Sequence, residues 1–183
     1  MRPRPVFITG FMGAGKSRIG RQLARELGRV FLDTDEMVEA RAGKSIAEIF
    51  AEDGEARFRA LESECVAAAA ARRCVVVALG GGAIVNEDNV ARVQAAGVLV
   101  WLDADVDTIL ERVSRRSDRP LLAGLGYEQQ RERIQKLLAS RLPFYRRAHV
   151  RVRSTPDRSP QETAATVLKA LEEWRAHHSC RTC

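Results

Sequence analysis

The run Gly10-Phe11-Met12-Gly13-Ala14-Gly15-Lys16-Ser17 has the residue types and spacing for holding phosphate. Glycines at 10, 13 and 15 let the backbone turn tightly and aim its N–H groups at phosphate oxygens. Lys16 has the length to reach β- and γ-phosphates, and the Ser17 hydroxyl suits Mg²⁺. Three further sets could complete a site. Asp33 and Asp35 flank a threonine, and alternate positions on an extended segment face the same way. One carboxylate is then a metal group and the other an acceptor for a substrate hydroxyl; alternatively, one of them only caps the next helix. Gly80-Gly81-Gly82 permits close approach of a ligand to the backbone, or makes a plain turn. Arg59, Arg119 and Arg141 could pair bidentately with carboxylate or phosphate. Any single arginine in so Arg-rich a chain can equally be a solvated charge.

These groups need elements to position them. Val6-Phe-Ile-Thr9 reads as a strand, and Ile19, Leu23 and Leu27 as one helical face, so the glycine run has the strand–loop–helix context of a P-loop. That context points to a bound nucleoside triphosphate. Val30-Phe-Leu32 is a second strand, followed by a helical pattern through Met37 and Val38. Ser45 to Glu48 is a capping box, and Asp53-Gly54 ends the short helix it opens. A longer helix over about 55–72 carries Phe58, Leu61, Cys65 and Val66 on its apolar face. Cys74 to Leu79 is a continuous apolar run, as in a central parallel strand. Asn86 caps a helix to about Ala96, and Val98 to Leu102 is a fourth strand. A helix opened between Asp103 and Asp107 leads into the aperiodic basic stretch 114–126, which has the look of a lid. A helix from about Tyr127 should end before Pro143. His149 to Arg153 is the fifth strand, and Ser159-Pro160-Gln-Glu162 opens the last helix.

Strands alternating with helices predict a three-layer α/β/α domain on a five-stranded parallel sheet. We expect one domain over 1–178, with insertions at about 34–61 and 114–126 over the carboxyl edge, where ligands bind in such folds. The chain has 183 residues, 45% hydrophobic and 30% charged, with net charge +6. No apolar stretch would span a membrane and the N-terminus has no apolar signal region, so a cytoplasmic protein is expected. The basic balance suits anionic small molecules; without a recognisable nucleic-acid module, no nucleic-acid partner is expected. Cys65 and Cys74 read as buried hydrophobes. His177, His178, Cys180 and Cys183 could hold Zn²⁺, but with no second C-x-x-C the spacing favours a disordered tail at 179–183.

Taken together, G-x-x-G-x-G-K-S, D-T-D, Phe58-Arg59 with Glu62, G-G-G, Arg119-Pro120-Leu121 and Arg141-x-x-x-Tyr145 resemble bacterial shikimate kinase, in order and spacing over about residues 5–170. The resemblance implies a P-loop kinase with sheet order 2-3-1-4-5 that moves the γ-phosphoryl of ATP to the 3-hydroxyl of shikimate, in the chorismate route to aromatic amino acids. It implies one Mg²⁺ ion per subunit and a monomer. It places shikimate on Asp35, Arg59, Gly80, Gly81, Gly82 and Arg141, with the two arginines on the carboxylate. It places ATP on Gly13, Ala14, Gly15, Lys16, Ser17 and Arg18, with Arg158 at adenine and a second adenine contact at Arg115 or Arg116, Arg115 preferred. Ser17 is the implied Mg²⁺ ligand, Asp33 acts on the metal through water, and Arg119 closes on the transferring phosphates. Lys16, Asp35 and Arg119 would be the catalytic residues. Arg18, where the family keeps a small residue, and the cysteine tail depart from the pattern. Two other readings stay open: another small P-loop kinase acting on a nucleoside monophosphate or gluconate, and a non-catalytic domain sensing ATP or shikimate.

Overall fold

The computed structural model describes residues 3–114 and 124–179. Its strands are β1 (Val6–Thr9), β2 (Val30–Asp33), β3 (Val75–Ala78), β4 (Val98–Asp103) and β5 (Val150–Arg153). All pair in parallel, in the order β2-β3-β1-β4-β5. The pattern follows from position. Every residue of β1 and β3 is buried, because helices cover both faces of the central strands. At the edges the pattern relaxes: Val30 of β2 is exposed, and in β5 buried Val150 and Val152 alternate with outward Arg151 and Arg153.

The helices are α1 (Lys16–Glu26), α2 (Thr34–Ala42), α3 (Ile46–Glu48), α4 (Gly54–Ala70), α5 (Glu87–Ala96), α6 (Val106–Ser114), α7 (Tyr127–Tyr145) and α8 (Pro160–Ser179). A π-turn, Ile49–Asp53, joins α3 to α4, and Gly54 at φ 82° makes the break expected there. With right-handed crossovers, this strand order puts α1 and α8 on one face, in contact with each other, and α4 to α7 on the opposite one. Caps expected from sequence are made. Asn86 accepts from the Asp88 and Asn89 N–H groups, and Ser45–Glu48 and Ser159–Glu162 form reciprocal capping boxes. Among the described residues no helix is long and apolar enough to cross a membrane.

Beside the main core lies a smaller one, built from Val38, Ile49, Phe58, Leu61 and Cys65. It holds α2 against α4. Burying Phe58, whose ring lies 4.8 Å from that of Phe50, contributes on the order of 2 kcal/mol and fixes the rotation of α4.

Two expectations fail here. The helix α7 does not end before Pro143 but runs through it to Tyr145. Proline sacrifices one backbone hydrogen bond near the end of the helix, and packing of the buried Tyr145, stacked on Trp101 at 5.9 Å, outweighs that loss. Cys74 is not a buried strand residue. It precedes β3 at φ 56° and is only half-buried. The turn that delivers the chain into β3 sets its conformation. Residues 115–123, and with them most of the expected lid, lie outside the described residues, as do Cys180 and Cys183.

Candidate active site

The glycine loop between β1 and α1 adopts backbone angles that favour glycine: φ is 144° at Gly10, 78° at Gly13 and 92° at Gly15. At Gly10 space also forbids a side chain, since a Cβ would lie 2.4 Å from the Leu102 carbonyl oxygen. Lys16 Nζ donates to the carbonyls of Gly10 (2.9 Å) and Phe11 (3.2 Å). Ser17, at the start of α1, donates from Oγ to Asp33 Oδ2 at 2.6 Å.

Asp33 therefore has two jobs. Its second oxygen accepts from the Asp35 N–H at 3.0 Å and caps α2, so the capping alternative is also true. Asp35 corrects the sequence reading. It does not alternate with Asp33 along a strand, because β2 ends at Asp33 and Asp35 stands in the first turn of α2. The two carboxylates nevertheless line one cleft. Thr34 between them is fully buried and accepts from the Gly80 N–H at 2.8 Å, tying this corner to the end of β3.

The three glycines after β3 have no positive φ; what they provide is room. A Cβ on Gly80 would lie 2.6 Å from Asp35 Oδ1 and 2.7 Å from Glu62 Oε1, so carboxylates of two other elements occupy the space of the absent side chain. A Cβ on Gly82 would lie 2.8 Å from Arg59 Nη1. The Gly81 carbonyl accepts from Tyr145 Oη at 2.7 Å and from Arg141 Nη1 at 3.3 Å.

Arg59 donates to Glu62 at 2.8 Å and to Glu55 at 3.1 Å. Glu62 is 2% exposed. Burial pushes its carboxyl pKa up against the opposing Arg59 charge; the nearby Asp35 adds to the rise and Arg141 opposes it. Arg141 is buried, with its guanidinium over the Phe11 ring.

The cleft holds about 500 Å³ and is lined by Gly13, Gly15, Lys16, Ser17, Arg18, Asp33, Asp35 and Gly81, and also by Arg112, Ser154, Pro156 and Arg158. Ala14 is buried beneath the loop. Arg59 and Arg141 do not line this cleft; each is held against the glycines that adjoin it. Arg115, Arg116 and Arg119 lie outside the described residues. Sequence reasoning missed Arg112. From the last turn of α6 it donates to the Gly13 carbonyl (3.1 Å), Ser154 Oγ (3.0 Å) and the Thr155 carbonyl (2.9 Å). Its place one turn before the basic stretch was the available signal.

The donor set next to the glycine loop fits Mg²⁺. Ser17 Oγ and the Asp33 carboxylate are hard oxygen donors side by side at the phosphate end of the cleft.

A glycine loop on β1, a parallel sheet of this order, and a cleft joining phosphate-binding backbone to paired carboxylates define a P-loop kinase. Comparison narrows the class. The family model described as shikimate kinase matches residues 12–172. A shikimate kinase of Symbiobacterium thermophilum is 43% identical over 174 residues, covering 92% of this chain and 96% of that protein. One of Desulforudis audaxviator is 45% identical over 170 residues, covering 93% and 87%. Shikimate kinase from Acinetobacter baumannii, solved in complex with shikimate, superposes with TM-score 0.87 at 34% identity, covering 93% of this chain and 94% of that one. The chain belongs to the shikimate kinase family.

Proposed function

We propose that this chain transfers the γ-phosphoryl group of ATP to the 3-hydroxyl of shikimate, giving shikimate 3-phosphate and ADP. The observation that carries the reading is the single cleft with different chemistry at each end. Backbone N–H groups, Lys16 and Ser17 stand on one side of the Asp33–Asp35 corner, and on the other the cleft reaches Gly81, with Arg141 against Gly81 and Arg59 against the adjoining Gly82.

Nucleotide phosphates lie on Gly13 to Arg18, with the base between Arg112, Pro156 and Arg158. Ser17, and Asp33 through water, would hold Mg²⁺, which would neutralise phosphate charge. Arg59 and Arg141 take the shikimate carboxylate, bidentate recognition for which guanidinium is suited. Gly80 and Gly82 leave room for these side chains, and Gly81 presents its backbone. Asp35 orients the 3-hydroxyl and accepts its proton as the oxygen bonds to the γ-phosphorus and the bond to the β-bridging oxygen breaks. Lys16 stabilises the charge that develops; Arg119, outside the described residues, has the same task by the family resemblance. Positioning and neutralisation do most of the work in such transfers, so Asp35 need not be a strong base. All these groups come from one chain, so a monomer would suffice; a cytoplasmic location and one Mg²⁺ ion accompany the family reading.

The test is ADP release from MgATP with shikimate, AMP, CMP, UMP or gluconate as acceptor. Turnover with shikimate alone is expected. Turnover with a nucleotide or gluconate would assign the arginines to another anion. Nucleotide binding without turnover of any acceptor would make the chain a sensor.

A further inference from the structure

The Gly81 carbonyl is a contested acceptor. Two donors from one helix point at it, Tyr145 Oη at 2.7 Å and Arg141 Nη1 at 3.3 Å. The phenol bond has ideal length for O–H···O, whereas the guanidinium bond is longer than the usual N–H···O range. We propose that Tyr145 is a positioning residue for Arg141: by satisfying the Gly81 carbonyl, it leaves the guanidinium available to hold the substrate carboxylate. The proposal rests on the shikimate reading above.

Three features make the phenol a fixed donor. Its ring is fully buried and stacked on Trp101, with an interplanar angle of 17°, so it has no alternative rotamer in open space. Burial, against the nearby Arg141, pushes the phenol pKa up to about 12, so the proton stays on the oxygen throughout the working range. Its position four residues after Arg141 puts both groups on one face of α7, and the continuation of that helix past Pro143 carries the phenol to Gly81.

Removing the hydroxyl leaves the part-buried Gly81 carbonyl with the longer Arg141 contact as its remaining donor. An acceptor that loses its shorter, better partner strengthens the one it keeps, so the guanidinium is drawn inward from 3.3 Å to serve it. Substrate carboxylate and Gly81 carbonyl then compete for the same N–H groups. Binding suffers, while the phosphate end of the cleft is untouched.

The experiment is Tyr145→Phe, which keeps the ring on Trp101, with thermal unfolding run alongside to confirm a folded protein. Shikimate KM should rise about tenfold, with kcat and ATP KM changed by less than about twofold, the size of one lost hydrogen bond to a charged group. The methyl ester of shikimate, which lacks the carboxylate charge, should bind parent and variant equally. In an Arg141→Ala background, Tyr145→Phe should have no further effect on shikimate KM. An unchanged shikimate KM overturns the proposal. So does a common rise in both KM values with a fall in kcat, which marks a general packing role, and so does an additive effect in the Arg141→Ala background. If the parent does not phosphorylate shikimate at all, the functional reading has failed first, and the two failures are distinguishable.

Discussion

Replacing Gly80 with alanine tests the geometry of the proposed catalytic corner with one methyl group. The backbone there tolerates alanine, so the effect comes from volume alone. The new Cβ would sit 2.6 Å from Asp35 Oδ1 and 2.7 Å from Glu62 Oε1, where ordinary contact begins at 3.4 Å. Glu62 is 2% exposed and held by Arg59 at 2.8 Å, so it has little freedom to yield. Both carboxylates must shift, and Asp35, in the first turn of a short helix, moves together with the more tightly held Glu62. Asp35 must retreat by roughly 0.8 Å, and a displacement near 1 Å at a reacting group costs about 100-fold in rate. Overpacking should lower stability by about 1–3 kcal/mol. The predicted result is a kcat lowered about 100-fold, measured as coupled ADP release, with ATP affinity by calorimetry within about twofold of the parent. The glycine loop lies on another strand and should not register the change. A variant with near-parental kcat would refute the idea that Asp35 must occupy the space beside Gly80. Equal loss of ATP affinity would show that the damage is not local.

Other outcomes follow from the same structure. Arg59→Ala and Arg141→Ala should each weaken shikimate by about 2–5 kcal/mol while sparing ATP; equal weakening of both ligands in calorimetry would remove the carboxylate assignment. His149 gives a pH signature. The Leu99 N–H donates to its Nδ1 at 2.9 Å, and burial, together with Arg4 and His178, holds its pKa below the usual 6.5. Because the unfolded chain binds the proton more readily, this contribution to stability is complete above pH 6.5 and is lost as pH falls through the lowered folded value. The melting temperature should drop on acidification from about pH 7.5 to about pH 5, with a shallower slope in His149→Asn; identical slopes would exclude this histidine as the cause.

Much of this architecture is legible in the sequence, for a physical reason. Central parallel strands must be apolar on both faces, so β1, β3 and β4 announce themselves, and a phosphate loop needs glycines where φ is positive. Caps are local, and Asn86, Ser45 and Ser159 act as their spacing implies. What sequence could not fix depends on tertiary contact. Asp35 was read onto a strand because residue alternation does not reveal that Asp33 caps a helix starting one residue later. Pro143 was read as a terminator because the pull of Trp101 on Tyr145 is invisible in α7 alone. Arg112 is one arginine among many, and only the fold brings Gly13, Ser154 and Thr155 within its reach. The glycine triplet was legible as space for a ligand, but most of that space belongs to the protein's own carboxylates and guanidinium.

The lysine of the glycine loop has a further consequence. Lys16 grips the carbonyls of Gly10 and Phe11. The loop thus carries its own provisional partners for the lysine charge. An incoming anion must exchange those carbonyl bonds for its own oxygens, and partial negative charges are given up only for denser ones. Binding at this loop is therefore an exchange of partners for Lys16, and its cost includes the two carbonyl bonds given up.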